Sequence, residues 1–366
     1  MNPRRTERQA LAGEPRPGAS GRATTLSDVA AHAGVSAATV SRVLADNYPV
    51  SRSARQRVQR AIRELNYVAN THARALAGVK TNTVAFVLND VRGPSFADAA
   101  HGVEQEAAQR GWLCLIGCTQ GDPARELAIV QLMREQRAGA VILIGGVVDD
   151  DTYRGTMAEI AHSLRSVGSM LVLCGRPPLG DGVPAAVIEY DNEGGAYAMT
   201  SYLLSHGHRR ILYLGGEATH TTSIGRLAGY QRAMADFGVD VDPGLVEHGT
   251  FTRASGYHLA RQRLGEDRDF TAVFAETDIM AAGVYTAAAE AGLRVPEDVS
   301  IVGYDDVELA QDLRPRLTTV RVPYEELGRA AVRLALDDRP DSGDARHVTL
   351  GTHVVVRESV ARVGRR

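Results

Sequence analysis

The sequence predicts an α/β protein with a small all-helical domain at its front, and three observations carry that expectation. From Thr83 onward short apolar runs alternate with amphipathic stretches of helical period, the order of parallel sheets covered by helices. Before that, residues 25–65 show only the three-to-four spacing of apolar residues that marks helices. Charge divides at the same place: residues 1–80 hold thirteen Lys and Arg against five Asp and Glu, the rest 28 against 39. A basic leading domain on an acidic body suits a polyanion-binding module attached to something that is not one. At 366 residues the chain is too long for one ordinary core, so two or three domains are expected.

Residues 1–23 are rich in Arg, Gly and Pro and lack the apolar stretch of a secretory signal; they read as a disordered arm. Thr25 then caps a helix, with Asp28 as the acidic partner of a capping box, and Val29, Ala30 and Ala33 fall on one face. Gly34 breaks that helix, because glycine alone takes a left-handed turn without steric cost. Ser36 caps a second helix, Ala37–Leu44, whose inner face is Val40, Val43 and Leu44. Beyond the loop that ends at Pro49 and Ser51, Val58, Ala61, Ile62 and Leu65 mark a third helix. Two short helices joined at a tight glycine turn form a helix-turn-helix, placed at 24–69. Its outward face would carry Ser36, Ala37, Ala38, Thr39, Ser41 and Arg42, with Thr25 and Leu26 at the head of the first helix counted to the same DNA-facing group. Small residues let a helix approach a groove floor, hydroxyls bond phosphates, and Arg bonds guanine in two places. The bland alternative is a helical hairpin with a solvated polar face. Asn70–Gly78 is helical in pattern, but Ala73, Ala75, Leu76 and Ala77 are too thin to form a core; 70–80 is therefore a hinge and linker.

The body, 81–366, reads as two similar lobes of about five strands each. The N-lobe is expected at about 81–184 plus 311–340, the C-lobe at about 185–310 plus 341–361. The segments Thr318–Val320, Tyr324–Asp337 and Val354–Arg357 would cross between them. No enzyme fingerprint is present. No GxGxxG follows a strand, no P-loop occurs, no Ser sits in a GxSxG elbow, and the eleven His show no metal-ligand spacing. The expectation is a binding module with no catalytic residues, cofactor or metal. Cys114, Cys118 and Cys174 read as buried free thiols of a reducing cytosol, and no apolar run is long enough to span a membrane. Ligands of open α/β sheets bind beyond the carboxyl ends of strands, which points to Ser95 and Phe96, to Cys174–Arg176, to Thr219–Arg226, and to Phe251, Thr277 and Asp305. Phe96 and Phe251 could cover a sugar or base ring, or be ordinary core aromatics. Asp191, Asn192 and Asp278 directly precede helical runs and read as caps.

The strings TLSDVAAHAGVSAATVSRVL, RELNYVANTHARALAG, GRLAGY, TDIMAAG, GLRVPEDVSIVGYDD and LTTVRVP, in that order, resemble the lactose-repressor/galactose-repressor (LacI/GalR) family of bacterial transcription regulators. The resemblance runs from about Thr24 to about Val360. It implies two lobes in the manner of periplasmic sugar-binding proteins, with the ligand in the cleft and Arg226 and Asp305 as its polar clamps. It also implies a hinge helix at Asn70–Gly78 that orders in the minor groove, with Asn70 and Ala73 on it and Leu76 as the wedge between base pairs. The chain departs from common family versions at Cys174, where an acidic residue is frequent, and in the Thr219–Ser223 loop. The function expected is a cytoplasmic, nucleoid-associated repressor of sugar-utilisation genes: a homodimer on a pseudo-palindromic operator, controlled by a small carbohydrate. Rivals are a regulator answering a purine or other metabolite, and a solute-binding protein, against which residues 25–78 argue.

Overall fold

The computed structural model describes residues 24–45, 49–67, 81–148, 150–265, 268–337 and 347–364. The chain divides into two compact units, Met1–Val79 and Lys80–Arg366. The disordered arm expected at 1–23 and the hinge helix, with Asn70, Ala73 and Leu76, lie outside the described residues.

In the first unit three helices, α1 (Leu26–Ala33), α2 (Ala37–Ala45) and α3 (Arg52–Glu64), enclose Val29, Ala30, Ala33, Val40, Val43, Val58, Ala61 and Tyr67. The capping box forms: the Asp28 amide donates to the Thr25 hydroxyl at 3.3 Å, and the Thr25 amide to the Asp28 carboxylate at 2.7 Å. Gly34 turns the chain at φ 62°. The Thr39 amide donates to Ser36 Oγ at 3.2 Å and the Ala54 amide to Ser51 Oγ at 3.3 Å, so serines start both later helices. Two polar ties fix α3 to α1. Arg57 Nε donates to the Ala33 carbonyl at 3.1 Å, and His32 Nε2 meets Glu64 at 2.7 Å.

The second unit begins with β1 (Thr81–Leu88), α4 (Pro94–Gln109), β2 (Leu113–Cys118), α5 (Pro123–Glu135), β3 (Ala138–Ile144), α6 (Asp151–Ser166), β4 (Met170–Cys174) and β5 (Ala185–Tyr190). It continues with α7 (Asn192–Ser205), β6 (Ile211–Gly215), α8 (Thr221–Asp236), β7 (Val246–His248), α9 (Arg253–Arg263), β8 (Ala272–Ala275), α10 (Asp278–Glu290) and β9 (Ser300–Val302). A short α11 (Leu309–Asp312), β10 (Thr319–Arg321), α12 (Tyr324–Leu336), β11 (His347–Leu350) and β12 (His353–Val355) complete it. One six-stranded sheet runs β11-β5-β4-β3-β1-β2, a four-stranded sheet runs β7-β6-β8-β9, and β10 pairs with β12. Both larger sheets are parallel throughout; the β10–β12 ribbon is antiparallel.

This topology corrects the expected lobe boundaries. Ala185–Tyr190 pairs with β4, and His347–Leu350 pairs in turn with Ala185–Tyr190, so both strands belong to the first lobe and not the second. The sheets hold six and four strands, not five each. Periodicity marks a strand but says nothing about which neighbour it joins, and the chain leaves the first lobe only after β5. It crosses three times, between Tyr190 and Asn192, between Arg321 and Tyr324, and between Leu350 and His353. Helix α12 returns to the first lobe and presses on α4 so closely that a Cβ at Gly102 would strike the Glu325 carbonyl, and one at Gly328 the Ala99 carbonyl. That approach sets Tyr324, the first residue of α12, at the junction of the lobes.

Candidate functional site

On the first unit Ser36, Ala37, Ala38, Ser41 and Arg42 are exposed along one side of the α1–α2 pair, while Val40 and Val43 point inward. Thr39 is half-buried, its hydroxyl 2.9 Å from Ser36 Oγ, and Thr25 and Leu26 are half-buried at the start of α1. The helix therefore offers a row of short side chains ending in one guanidinium, a shape that can lie in a groove and bond an edge there.

In the second unit the carboxyl ends of both parallel sheets converge on Arg226, a buried guanidinium each of whose three nitrogens donates to a neighbouring oxygen. Nη2 donates to Asp305 Oδ1 at 3.0 Å, Nε to Asn192 Oδ1 at 2.9 Å, and Nη1 to the Glu276 carbonyl. The guanidinium carbon lies 3.7 Å above the centre of the Tyr304 ring, a cation–π contact. Burial opposes the charge of Arg226, but Asp305 and the surrounding tyrosine oxygens more than offset it, and its pKa rises well above the ordinary value.

Asp305 is held by an unusual backbone. Its φ is 111° and that of Asp306 is 57°, a left-handed pair at the end of β9. Two flanking bonds fix it there: the Asp305 amide donates to the Val320 carbonyl at 2.8 Å, and the Val322 amide to the Asp305 carbonyl at 3.3 Å. Besides Arg226, its carboxylate accepts from the Tyr324 hydroxyl at 2.9 Å and, across the lobes, from Ser95 Oγ at 3.5 Å. Burial raises its pKa, with Arg226, Tyr324 and Ser95 opposing the rise. Behind it Asp278 is fully buried, accepts from the Thr319 hydroxyl and from the Val307 amide at 2.9 Å, and has its pKa pushed well up by burial and by the Asp305 charge. The lobes also meet at the cleft mouth. There the Thr221 amide donates to the Val147 carbonyl at 2.9 Å, the Val147 amide to Thr221 Oγ1 at 3.1 Å, and Val148 bridges His220.

The predicted clamps Arg226 and Asp305 thus come together with Ser95. Phe96 is half-buried against Gly145, and Phe251 lies on Gly216 with its ring edge-on to His220 at 5.1 Å. The cap expected of Asp278 is Thr277, whose hydroxyl starts α10 by accepting from the Met280 amide at 3.2 Å. Asp191 does cap α7, but Asn192 beside it gives its side-chain oxygen to Arg226. Arg176 is committed elsewhere, in a buried two-pronged pair with Glu126 at 2.7 and 2.9 Å. Residues the sequence reading passed over are Tyr324 and Glu276, and Asn192 was read only as a cap. Glu276 carried a signal: it is a charge directly after the apolar strand Ala272–Ala275, where the carboxyl-end rule applies. Cys174 is buried as expected, with its thiol pushed up to about 12 by burial, whereas Cys114 and Cys118 are only half-buried.

Comparison with known proteins places this geometry. Residues 25–70 match the family "Bacterial regulatory proteins, lacI family", and residues 200–360 match a "Periplasmic binding protein-like domain". The HTH-type transcriptional regulator CelR of Thermobifida fusca is 35% identical over 347 residues, 92% of this chain and 98% of CelR. A solved CelR–cellobiose complex is 33% identical, with a TM-score of 0.66 over 92% of this chain and 99% of that one. The lac repressor dimer bound to operator and the anti-inducer ONPF is 26% identical, with a TM-score of 0.76 over 93% of this chain and 100% of that one. With a helix-turn-helix ahead of a two-lobed ligand-binding body, and a relative this similar along nearly its whole length, the chain belongs to the lacI family of bacterial regulatory proteins and is a DNA-binding transcriptional regulator, not an enzyme.

Proposed function

We propose that the chain is a homodimeric repressor of carbohydrate-utilisation genes that binds a pseudo-palindromic operator and is controlled by a small sugar in the cleft around Arg226 and Asp305. The observation that carries the reading is the buried Arg226–Asp305 pair, set by a left-handed Asp305 at the junction of the lobes. A guanidinium fork and a carboxylate side by side suit vicinal hydroxyls, and Asp305 is itself bonded by Ser95 and Tyr324 of the first lobe. The solved relatives support the same scheme, one with cellobiose and one as a dimer on operator. One helix-turn-helix covers a half-site, so specific binding requires two copies. The parts of the first unit given to DNA are Thr25, Leu26, Ser36–Thr39, Ser41 and Arg42, with Asn70, Ala73 and Leu76 of the hinge entering the minor groove. The cleft parts are Ser95, Phe96, Arg226, Phe251, Thr277 and Asp305. The protein would act in the cytoplasm, on the nucleoid.

The test is to select bound duplexes from a random pool and then screen mono- and disaccharides for their effect on retention. A palindromic consensus with steep salt dependence, released or tightened by a sugar, is the expected result. Recovery of no consensus, or indifference to every sugar while a purine acts, overturns the proposal.

A further inference from the structure

The buried charges around Arg226 do not balance. Two buried carboxylates, Asp305 and Glu276, flank it, and of these only Asp305 takes a hydrogen bond from the guanidinium on its carboxylate; Glu276 offers Arg226 its main-chain carbonyl. Glu276 Oε2 accepts from the Gly216 amide and from Ser223 Oγ at 3.1 Å. Its other oxygen, Oε1, is buried and has no hydrogen-bond partner among the described residues. A carboxylate oxygen stripped of water and left without a donor is costly, more so when the charge it shares is uncompensated. A purely structural role explains half of this arrangement. Tethering Gly216 and the first turn of α8 needs one acceptor, which a glutamine would supply without a buried charge. It does not explain Oε1. The tip of the Phe251 ring lies against Gly216, whose amide Glu276 holds.

We infer that the effector of this chain presents a protonated amine to Glu276 Oε1, which makes it an amine-bearing sugar and not a neutral one. The inference rests on the reading of the cleft as the effector site. A sugar hydroxyl would give Oε1 a donor but leave the extra negative charge in place. An ammonium gives both the donor and the missing positive charge. Burial raises the proton affinity of Glu276, with Arg226, the Gly216 amide and Ser223 opposing the rise. The inference also gives a reason for an acidic residue at this point in a site that already has Asp305 for hydroxyls.

The experiment is a thermal-shift and calorimetric titration of the full chain with glucosamine, galactosamine and mannosamine, each set against its parent hexose and its N-acetyl derivative. At least one free amine is expected to bind about tenfold or more tightly than both neutral partners. In Glu276→Gln, which keeps an acceptor for Gly216 and Ser223, that preference should collapse towards parity. Neutral partners binding as well as the amine, a preference that survives in Glu276→Gln, or no binding of any free amine each overturns the inference. If a neutral sugar binds and Asp305→Asn abolishes its binding, the inference falls while the cleft reading stands. If a ligand binds indifferently to Asp305→Asn, the cleft reading itself falls.

Discussion

At the residue scale, Asp305 has two jobs that the sequence showed as one. The string GYDD marked it as a ligand clamp, yet its carboxylate is also the counter-charge of a guanidinium that is 1% exposed. Asp305→Ala would strand that charge, and removing one partner of a buried pair costs about 3–5 kcal/mol. Asp305→Asn keeps an acceptor for Nη2 and should cost clearly less, so thermal melts of the two variants are expected to rank wild type, Asn, Ala. Equal melting of the Ala variant and wild type would show that Arg226 is not desolvated. His208 gives a second prediction. It is 2% exposed and lies between Thr271 Oγ1 at 2.8 Å and the Ala361 carbonyl at 3.0 Å, an arrangement that suits the neutral ring, and burial lowers its pKa from 6.5 to about 4. A depressed folded pKa contributes stability that is full above the unfolded value and lost as pH falls from 6.5 towards 4, here about 3 kcal/mol. Denaturation midpoints of wild type and His208→Gln measured across that window should converge on acidification; parallel curves would refute it. Arg226 and Asp305 were legible because the family strings GRLAGY and VGYDD carry them. Thr277 and Asn192 were not, because capping a helix and bonding a guanidinium use the same short polar side chains, and only packing decides which one occurs.

At the element scale, the helices of the first unit were legible almost to the residue, since each begins with a side-chain cap that local chemistry requires: Thr25 with Asp28, Ser36, and Ser51. The exposed side of α2 yields the prediction. Arg42→Ala should weaken the selected operator by about 1–3 kcal/mol while changing affinity for random duplex little, because a guanine contact is lost only where the guanine is. Gel-shift titrations on both DNAs decide it; an equal loss on each makes Arg42 a phosphate contact. In the second unit β11 went unread. His347–Leu350 is mostly exposed, so it lacks the apolar run by which its neighbours were recognised, and it joins the sheet through main-chain pairing with Ala185–Tyr190. The close crossing of α4 and α12 was equally hidden, because Gly102 and Gly328 lie more than two hundred residues apart in sequence.

At the scale of the whole molecule, β2 is an edge strand, and Leu113, Leu115 and Ile116 are 61%, 40% and 50% exposed, with Leu132 of the adjoining α5 also exposed. A long apolar edge left open invites pairing, and in a dimeric regulator it is a natural place for the second copy. Light scattering should give a dimer for wild type, and Ile116→Arg should shift it towards monomer and weaken operator binding in step. An unaltered dimer would place the interface elsewhere. The division into a basic reader and a two-lobed body was visible in charge and periodicity, whereas the partition of strands between lobes was not, because it depends on which edges pair.

The bonds between Val147 and Thr221 at the cleft mouth have a kinetic consequence. If this clasp and the burial of Arg226 bar direct entry, a solute must wait for the two lobes to part spontaneously. Observed binding rates should then level off as effector concentration rises, at a ceiling equal to the frequency of parting. Thr221→Val, which removes the hydroxyl but keeps the shape, should lift that ceiling in stopped-flow fluorescence. A rate that climbs linearly without limit would mean that the gate stands open. The speed with which the genes respond would then be set by how often these two hydrogen bonds break, and only secondarily by how much effector is present.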